Sequence, residues 1–458
     1  MQGRGRFWVE SWQTLILALP LVVGQLSQMA LALADTLMIG RVGVEELAAC
    51  ALANSVLHLP LMLGIGLLIA VSVRVAQARG RKTPEAAATA LRIGIFFSLI
   101  LGILIVGMVA LVLPMLPWIG QDEAVLEVIP TYFYYLALSM GPGLMGIALK
   151  NFADAMNRPW WPLGILSAGV VLNVFLNWVL IFGNLGSPAL GLNGAGLATL
   201  ISRMVTLAVL ALWVFRLTPQ FGAWLPKLWW VRFGPGALVN FLKVGVPSAI
   251  HLLSEVGAFV LATLMIGSLG AAALSAHQIA ITCAGTSFMV PLGLGMALTV
   301  RIGEAWGAGE VERLRVIALG GWLMATLFAC LSATLFYIYR TEIAWLFIDD
   351  FEVVELTVHL LVIAATFQIA DGIQITSASG LRGMDDVRTP AGIAVAVYWF
   401  LALPLGWVLG LEWGQGAIGV WWGLTVGLTV AAGVLSIRFF LRTRIGHPNR
   451  LPERGPAA

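Results

Sequence analysis

The feature that most constrains this chain is its succession of apolar stretches of about 20 residues or more. That is the length at which an α-helix crosses a hydrocarbon core of about 30 Å. Twelve such stretches are read at 14–39, 46–72, 91–113, 128–149, 160–183, 191–215, 238–267, 273–300, 316–339, 353–379, 391–410 and 416–441. Lipid offers the backbone no water, so only helices and closed barrels can span it, and the short alternating pattern of barrel strands is absent. With 60% apolar and 11% charged residues, the chain has too little charge to cover a soluble protein of 458 residues. The expected fold is therefore an all-α polytopic membrane protein with twelve transmembrane helices.

The chain also repeats itself. Pro20 recurs as Pro247, Leu26-Ser27 as Leu253-Ser254, and the pentapeptide TLMIG of Thr36–Gly40 as Thr263–Gly267. Gly43 and Gly270, Leu47 and Leu274, Ala49 and Ala276, and Ala53 and Ala280 hold the same register, as do Arg74 with Arg301 and Gly80 with Gly307. Met156 and Pro162 align with Met384 and Pro390 one residue further on. Apolar composition produces chance matches, but rarely a Pro, two Gly and an Arg in one register. The reading is two pseudo-symmetric six-helix lobes. Residues 1–216 carry helices 1–6, 217–237 form a cytoplasmic linker, 238–445 carry helices 7–12, and 446–458 are a cytoplasmic tail. The repeat also decides a second matter. A basic start, an apolar run and Ala32-Leu33-Ala34 resemble a cleavable leader. The first helix is equivalent to the seventh, which is internal, so it is expected to be a span.

Charge gives orientation. Of 26 Lys and Arg, all but Arg41, Arg340 and the mid-span Arg203 fall on one side. The opposite loops carry Glu45, Glu46, Asp122, Glu123, Glu127, Glu342, Asp349, Asp350, Glu352 and Glu355. The basic side is cytoplasmic, both termini lie there, and the halves are related by an axis along the membrane normal. A net charge of +3 without a basic, aromatic-rich domain argues against nucleic acid. Cys50, Cys283 and Cys330 lie in apolar segments and read as packing residues. There is no CxxC, HExxH or Walker loop, and His58, His251, His277, His359 and His447 do not converge by spacing. An enzyme, a resident cofactor and an ATP-driven cycle are therefore not expected. A channel would need a ring of like residues, and the halves differ in charge.

Three carboxylates remain inside spans: Asp35, Glu255 and Asp371. A charge near the bilayer centre costs at least about 2.5–3.5 kcal/mol. Such a group either locks helices through neighbouring donors or exchanges a proton for Na⁺ or an organic cation, because a dry site favours the protonated acid and a bound cation the ionised one. On helix 1, Gln25, Gln28, Ala32 and Asp35 share one face, a polar stripe without bulk. Helix 5 places Asn173 and Asn177 one turn apart with Gly169 above them, and helix 6 carries Thr199 and Ser202. Asp35, Asn173, Asn177 and Thr199 could form a hard-oxygen cage for Na⁺, or the asparagines could only tie helices together. The second half offers His251 and Glu255 on helix 7, His277 and Gln278 on helix 8, and Gln368, Asp371 and Gln374 on helix 10. Glu255 and Asp371 make a second candidate site for Na⁺ or H⁺. Gln28, His277, Gln278 and Gln368 are candidate cavity-lining residues, and His277 is either a packed histidine or a proton relay. Arg203 either pairs with an acid or snorkels. The repeat puts Gln28 opposite Glu255 and Ala262 opposite Asp35, so the halves share a scaffold but not their charges.

ADTLMIG, LNVFLNW, GAGLAT, LLSEVGAF, SAHQIA, VPLGLGMALTVRIGEAWG and ASGLRGMDDVRTP are spread over nearly the whole chain. Together they resemble the multidrug and toxic compound extrusion (MATE) family in its bacterial NorM-like branch. The resemblance implies a V-shaped pair of lobes around a central cavity in a bacterial inner membrane. It implies an antiporter that exports cationic, amphipathic drugs against inward Na⁺ or H⁺ by alternating access; the sequence leaves the oligomeric state open, with a monomer expected. Carried over by position, Asp35, Asn173, Asn177 and Thr199 resemble the family's first-lobe cation site, and Glu255 and Asp371 its second-lobe site. Some members have Asp where this chain has Asn177. Phe367, a further cavity-lining candidate, stands where the branch can have Tyr. These departures leave open which lobe couples, and to which ion. The alternative is a lipid-linked saccharide flippase of the same superfamily, whose anionic substrate calls for several basic side chains where this chain offers Arg203 alone.

Overall fold

The computed structural model describes residues 2–119, 123–229 and 233–444, with Gln2, Gly3, Arg4, Ile119 and Pro235 as backbone only. Asp122, Arg232, His447 and the expected tail at 446–458 lie outside the described residues. Among the described residues there is no strand, and twelve helices are long and apolar enough to cross a membrane. They are α1 Gly5–Ile39, α2 Val44–Arg81, α3 Pro84–Trp118, α4 Glu123–Ala155, α5 Trp160–Phe182, α6 Gly191–Leu217, α7 Gly236–Gly267, α8 Ala271–Ala308, α9 Val311–Ile338, α10 Phe351–Gly383, α11 Arg388–Glu412 and α12 Gly416–Arg442. A short helix, Arg340–Phe347, joins α9 to α10.

Each expected span is present, but several run further toward the basic loops. α2 continues through Arg74 and Arg79 to Arg81, and α8 through Arg301 and Glu304 to Ala308. Hydropathy falls where charge begins, whereas the backbone ladder needs only a helical φ and ψ. The ladder stops at left-handed caps, Lys82 at φ 58° and Gly309 at φ 79°, whose N–H groups close the last turn.

The repeat is visible in the backbone. α2 and α8 both have 38 residues, α4 and α10 both have 33, and α6 and α12 both have 27. After α4, the N–H groups of Met156, Asn157 and Arg158 bond the carbonyls of Phe152, Asp154 and Ala153. After α10, those of Met384, Asp385 and Asp386 bond Gly380, Arg382 and Leu381 in the same pattern. Asn157 and Asp385 turn the chain with φ 62° and 69°.

The chain forms two compact units, Val23–Ala249 on one hand and Met1–Val22 with Ile250–Ala458 on the other. In the first, α4 packs against α2, α3 and α6, and the start of α7 lies on α2. Arg74 donates to the Asn240 carbonyl from Nε at 3.1 Å and from Nη2 at 2.6 Å. Gly66 sits so close to α7 that a Cβ there would lie 2.4 Å from Ala249 Cα. In the second unit, α10 packs against α8, α9 and α12, and the start of α1 lies on α8. Arg301 pairs with the buried Glu10 carboxylate and bonds Thr14 Oγ1 at 2.8 Å and Gln13 Oε1 at 2.8 Å. Arg313 Nε reaches the same carboxylate at 2.8 Å. A Cβ on Gly293 would lie 2.7 Å from Val22 N. Arg74 and Arg301, Gly66 and Gly293, Asn240 and Gln13, and Ala249 and Val22 are repeat equivalents. One pair of devices, an arginine at the helix end and a glycine at the crossing, is thus used twice. Lipid gives helices no hydrophobic drive to associate, so this close backbone approach is what holds them.

Gly66→Ala and Gly293→Ala should each destabilise the protein by about 1–3 kcal/mol, because a methyl group would be forced into backbone atoms. Unfolding in mixed micelles with increasing SDS measures this. A midpoint unchanged in both variants would show that the two crossings are not packing contacts.

Candidate ion and substrate sites

In the first unit, α1, α5 and α6 bring four expected residues into one network. Asn177 Nδ2 donates to Asp35 Oδ1 at 2.6 Å and to Asn173 Oδ1 at 3.1 Å. Asn173 Nδ2 donates to Thr199 Oγ1 at 3.3 Å and to Ser202 Oγ at 3.2 Å. Asn173 and Asn177 are buried, with Asn177 Oδ1 left without a hydrogen-bond partner. The i,i+4 spacing on α5 puts both amides on one face, and Gly169 above them leaves room for Thr206 of α6. The asparagines therefore do tie three helices together. Among the described residues Arg203 has no ion-pair partner. Its Nη1 donates to Ser139 Oγ at 2.9 Å, and its charge acts on Asp35 from a distance. Gln28 is exposed.

In the second unit, Glu255 on α7 and Asp371 on α10 are buried and sense each other's charge. The Nδ1–H of His251 donates to the Pro390 carbonyl at 3.2 Å, which leaves Nε2 to accept from Gln374 Nε2 at 3.5 Å. Glu255 Oε2 stays 3.9 Å from that nitrogen, beyond a hydrogen bond. Three buried oxygens in this region have no partner: Asp371 Oδ1, Gln374 Oε1 and Tyr398 Oη. Asp371 and Gln374 share a face of α10 by their i,i+3 spacing. Tyr398, on α11, is fully buried within electrostatic reach of both Glu255 and Asp371. Sequence reasoning missed Tyr398, which lies in an apolar run with no patterned neighbour. Its signal was only that a phenol inside a span needs a partner. Arg382 was read as a loop charge. It occupies the last turn of α10 and is the cation that acts on Glu255.

The remaining expected residues divide. Phe367 is buried, edge-on to Phe259 with centroids 6.0 Å apart and tilted against Trp421 at 5.8 Å. Gln368 accepts from Ser287, which also bonds Ser332 at 2.9 Å. Trp421 Nε1–H donates to His277 Nδ1 at 3.1 Å, so the ring proton is on Nε2 and is donated to Thr263 Oγ1 at 2.9 Å. The Thr263 hydroxyl passes its own proton to the Phe259 carbonyl at 2.9 Å. His277 is a neutral, fully satisfied packing residue in this arrangement. Gln278 is exposed. Among the described residues no three His, Cys, Asp or Glu side chains gather as a metal cluster. Both sites instead mix a carboxylate with neutral oxygens, the donor set of a hard, weakly held cation or a proton.

A family model described as MatE matches the chain twice, at residues 20–179 and 247–408, in step with the internal repeat. The probable multidrug resistance protein NorM of Bradyrhizobium diazoefficiens is 38% identical over 437 residues, 94% of this chain and 93% of its own length. The multidrug resistance protein NorM of Vibrio vulnificus is 32% identical over 444 residues, 94% of this chain and 96% of its own. Among solved structures, the Vibrio cholerae MATE transporter VcmN in its bent form superposes with a TM-score of 0.86 at 23% identity, over 96% of this chain and 98% of that one. A MOP superfamily transporter from Pyrococcus furiosus gives 0.86 at 21%, over 95% and 96%. The structures speak for the fold alone, but the double family match and the curated relatives carry the assignment: this multi-pass membrane protein belongs to the MatE family and is a transporter, not an enzyme.

Proposed function

We propose that this chain exports organic, cationic and amphipathic compounds across a bacterial inner membrane in exchange for inward Na⁺ or H⁺, by alternating access. Its relatives are named multidrug resistance proteins. The observation that carries the reading is the pair of buried carboxylates, Glu255 and Asp371, with Asp371 Oδ1 unpartnered and two further unpartnered oxygens in the same region, Gln374 Oε1 and Tyr398 Oη. Buried polar atoms without a protein partner are rare, and such atoms mark places where water, an ion or a functional role answers them. Glu255 and Asp371 take the coupling ion, with Gln374 and Tyr398 completing its oxygen shell. Asp35, Asn173, Asn177 and Thr199 form a second cation site in the first half. Gln28 in the first unit and Gln278 in the second, both exposed, and Gln368 are the proposed lining residues, each within its own unit, whereas His277 and Phe367 pack in the interior of the second unit. An ion that binds the outward-open state better than the inward-open one moves the equilibrium, and competition with the organic cation for the same negative charge couples the two fluxes. The basic loops face the cytoplasm.

In proteoliposomes, either a Na⁺ gradient at equal pH or a pH gradient without Na⁺ should drive uphill movement of a fluorescent organic cation. The Glu255→Gln/Asp371→Asn double variant should abolish it. Uphill movement at the wild-type rate in that variant would remove these carboxylates from coupling. No movement under either gradient would end the organic-cation reading and turn the test to lipid-linked saccharides. Tyr398→Phe should raise the ion concentration for half-maximal transport about tenfold, roughly 1.4 kcal/mol of lost ion binding. An unchanged ion dependence would take the phenol out of the shell.

Orientation has its own test in cells, on a chain lacking its three cysteines. Cysteine at the exposed Arg41 should react with a membrane-impermeant maleimide, and cysteine at the exposed Lys227 only after permeabilisation. The opposite pattern would invert the topology.

A further inference from the structure

Arg203 lies midway along α6, where a guanidinium is costly to place. Its Nη1 donates to Ser139 Oγ at 2.9 Å and to Met140 Sδ at 3.5 Å, both on α4. The side chain runs across Gly143, where a Cβ would come within 3.4 Å of its Cδ. These partners are neutral, and among the described residues neither Nε nor Nη2 makes a hydrogen bond. A guanidinium has five donors, so most of them are left over. Asp35 is held in the complementary way, with the neutral Asn177 amide as its close partner at 2.6 Å. Arg203 lies one turn beyond Thr199 on the same face of α6, and Thr199 belongs to the network that ends on Asp35. The two charges act on each other from a distance without pairing, and both residues are half-buried.

The repeat shows that the scaffold does not require this cation. α4 and α10 have 33 residues each, and the register that equates Met156 with Met384 puts Asp371 at the place of Gly143. α6 and α12 have 27 each, and counting from their first residues puts Leu428 at the place of Arg203. Leu428 is fully buried in the apolar core of the second unit. At these two places the second half has an acid and a leucine, and the first half a bare glycine and an arginine. The charge brought there is reversed. The second half sets two carboxylates within each other's reach, whereas the first sets a carboxylate and a guanidinium apart.

We infer that Arg203 is a specificity-determining residue that binds the carboxylate of a zwitterionic substrate whose cationic group is held at Asp35. The inference rests on the reading that the first half takes the exported cation. A guanidinium matches the two oxygens of a carboxylate with parallel N–H donors. A substrate with both charges answers both side chains, whereas a second positive group would be repelled by Arg203. The site therefore sorts organic cations by what else they carry: a carboxylate is favoured, an ester is not, and a second amine is rejected.

The test is the binding of two dyes to the detergent-purified full chain, read by fluorescence anisotropy. One is an amino-rhodamine with a free carboxylate, and the other is its methyl ester, which keeps the same cationic ring system. The wild type should bind the free acid about tenfold more tightly than the ester. Arg203→Gln should erase that difference, and Arg203→Lys should restore part of it, because the charge returns without the fork. Asp35→Asn should weaken both dyes. Equal affinity of the wild type for the two dyes overturns the role of Arg203, and this comparison stands even if Arg203→Gln is unstable. A preference that survives Arg203→Gln, with both affinities lowered alike, also overturns it and leaves the arginine a packing residue. Affinities indifferent to Asp35→Asn would instead remove the first-half cation site on which the inference rests, and the inference with it.

Discussion

The absence of water in the hydrocarbon core is the constraint on which the rest of this protein depends. Every polar atom carried into a span must find its partner inside the chain. Most do so at the shortest range. The hydroxyls of Thr36, Thr263, Thr282, Thr334, Thr357 and Thr425 fold back onto carbonyls four residues earlier. Charges find partners at longer range, as Glu10 does between Arg301 and Arg313. Some do not: Asp371 Oδ1, Gln374 Oε1 and Tyr398 Oη lack a protein partner in the second unit, as Asn177 Oδ1 does in the first. The same atoms on a soluble surface would mean nothing, because water would answer them.

Duplication met this constraint once and used the answer twice. The arginine, the glycine crossing and the left-handed turn after the fourth helix of each half recur at equivalent positions. What differs is the chemistry hung on them. Cys50 and His277 are equivalent. The thiol lies 3.3 Å from the Tyr132 hydroxyl, whereas the imidazole bridges Thr263 and Trp421. The shared TLMIG segment follows the same division. Ile39 and Ile266 are both buried, so the pentapeptide is conserved between halves as packing, while its threonine acquires a histidine partner only in the second.

The sequence made the architecture legible because its two strongest signals, span length and register, are local and additive. Twelve apolar runs became twelve helices, and TLMIG with Pro20 and Pro247 located the halves. The ends were less legible, since Arg74, Arg79 and Arg301 lower hydropathy without breaking the ladder. The same effect hid Arg382, which reads as a loop residue but sits in the last turn of α10. The first-half network was readable because Asn173 and Asn177 announce themselves by spacing on one helix. Tyr398 was not, because what defines it is a position in space next to residues far away in sequence. That α1 starts on α8 and α7 on α2 was equally hidden, since register shows which residues are equivalent and not which ones touch.

The two candidate sites can now be weighed by the donors around their acids. Asp35 accepts from Asn177 at 2.6 Å, and Asn177 is itself held by Asn173, so neutral amides on a rigid helix already answer part of its charge. Asp371 has no such donor on Oδ1, and its close charged neighbour is another acid, Glu255. Keeping two buried acids ionised and unpaired is costly, which favours the proposal that a proton or a cation is held there. A site that favours being loaded, and is unloaded by exchange, is what an exchanger needs at its coupling centre. On this ground the proposed coupling role falls to Glu255, Asp371 and Tyr398 rather than to Asp35. The amide-buffered Asp35 is better suited to an occupant that comes and goes, such as the exported cation.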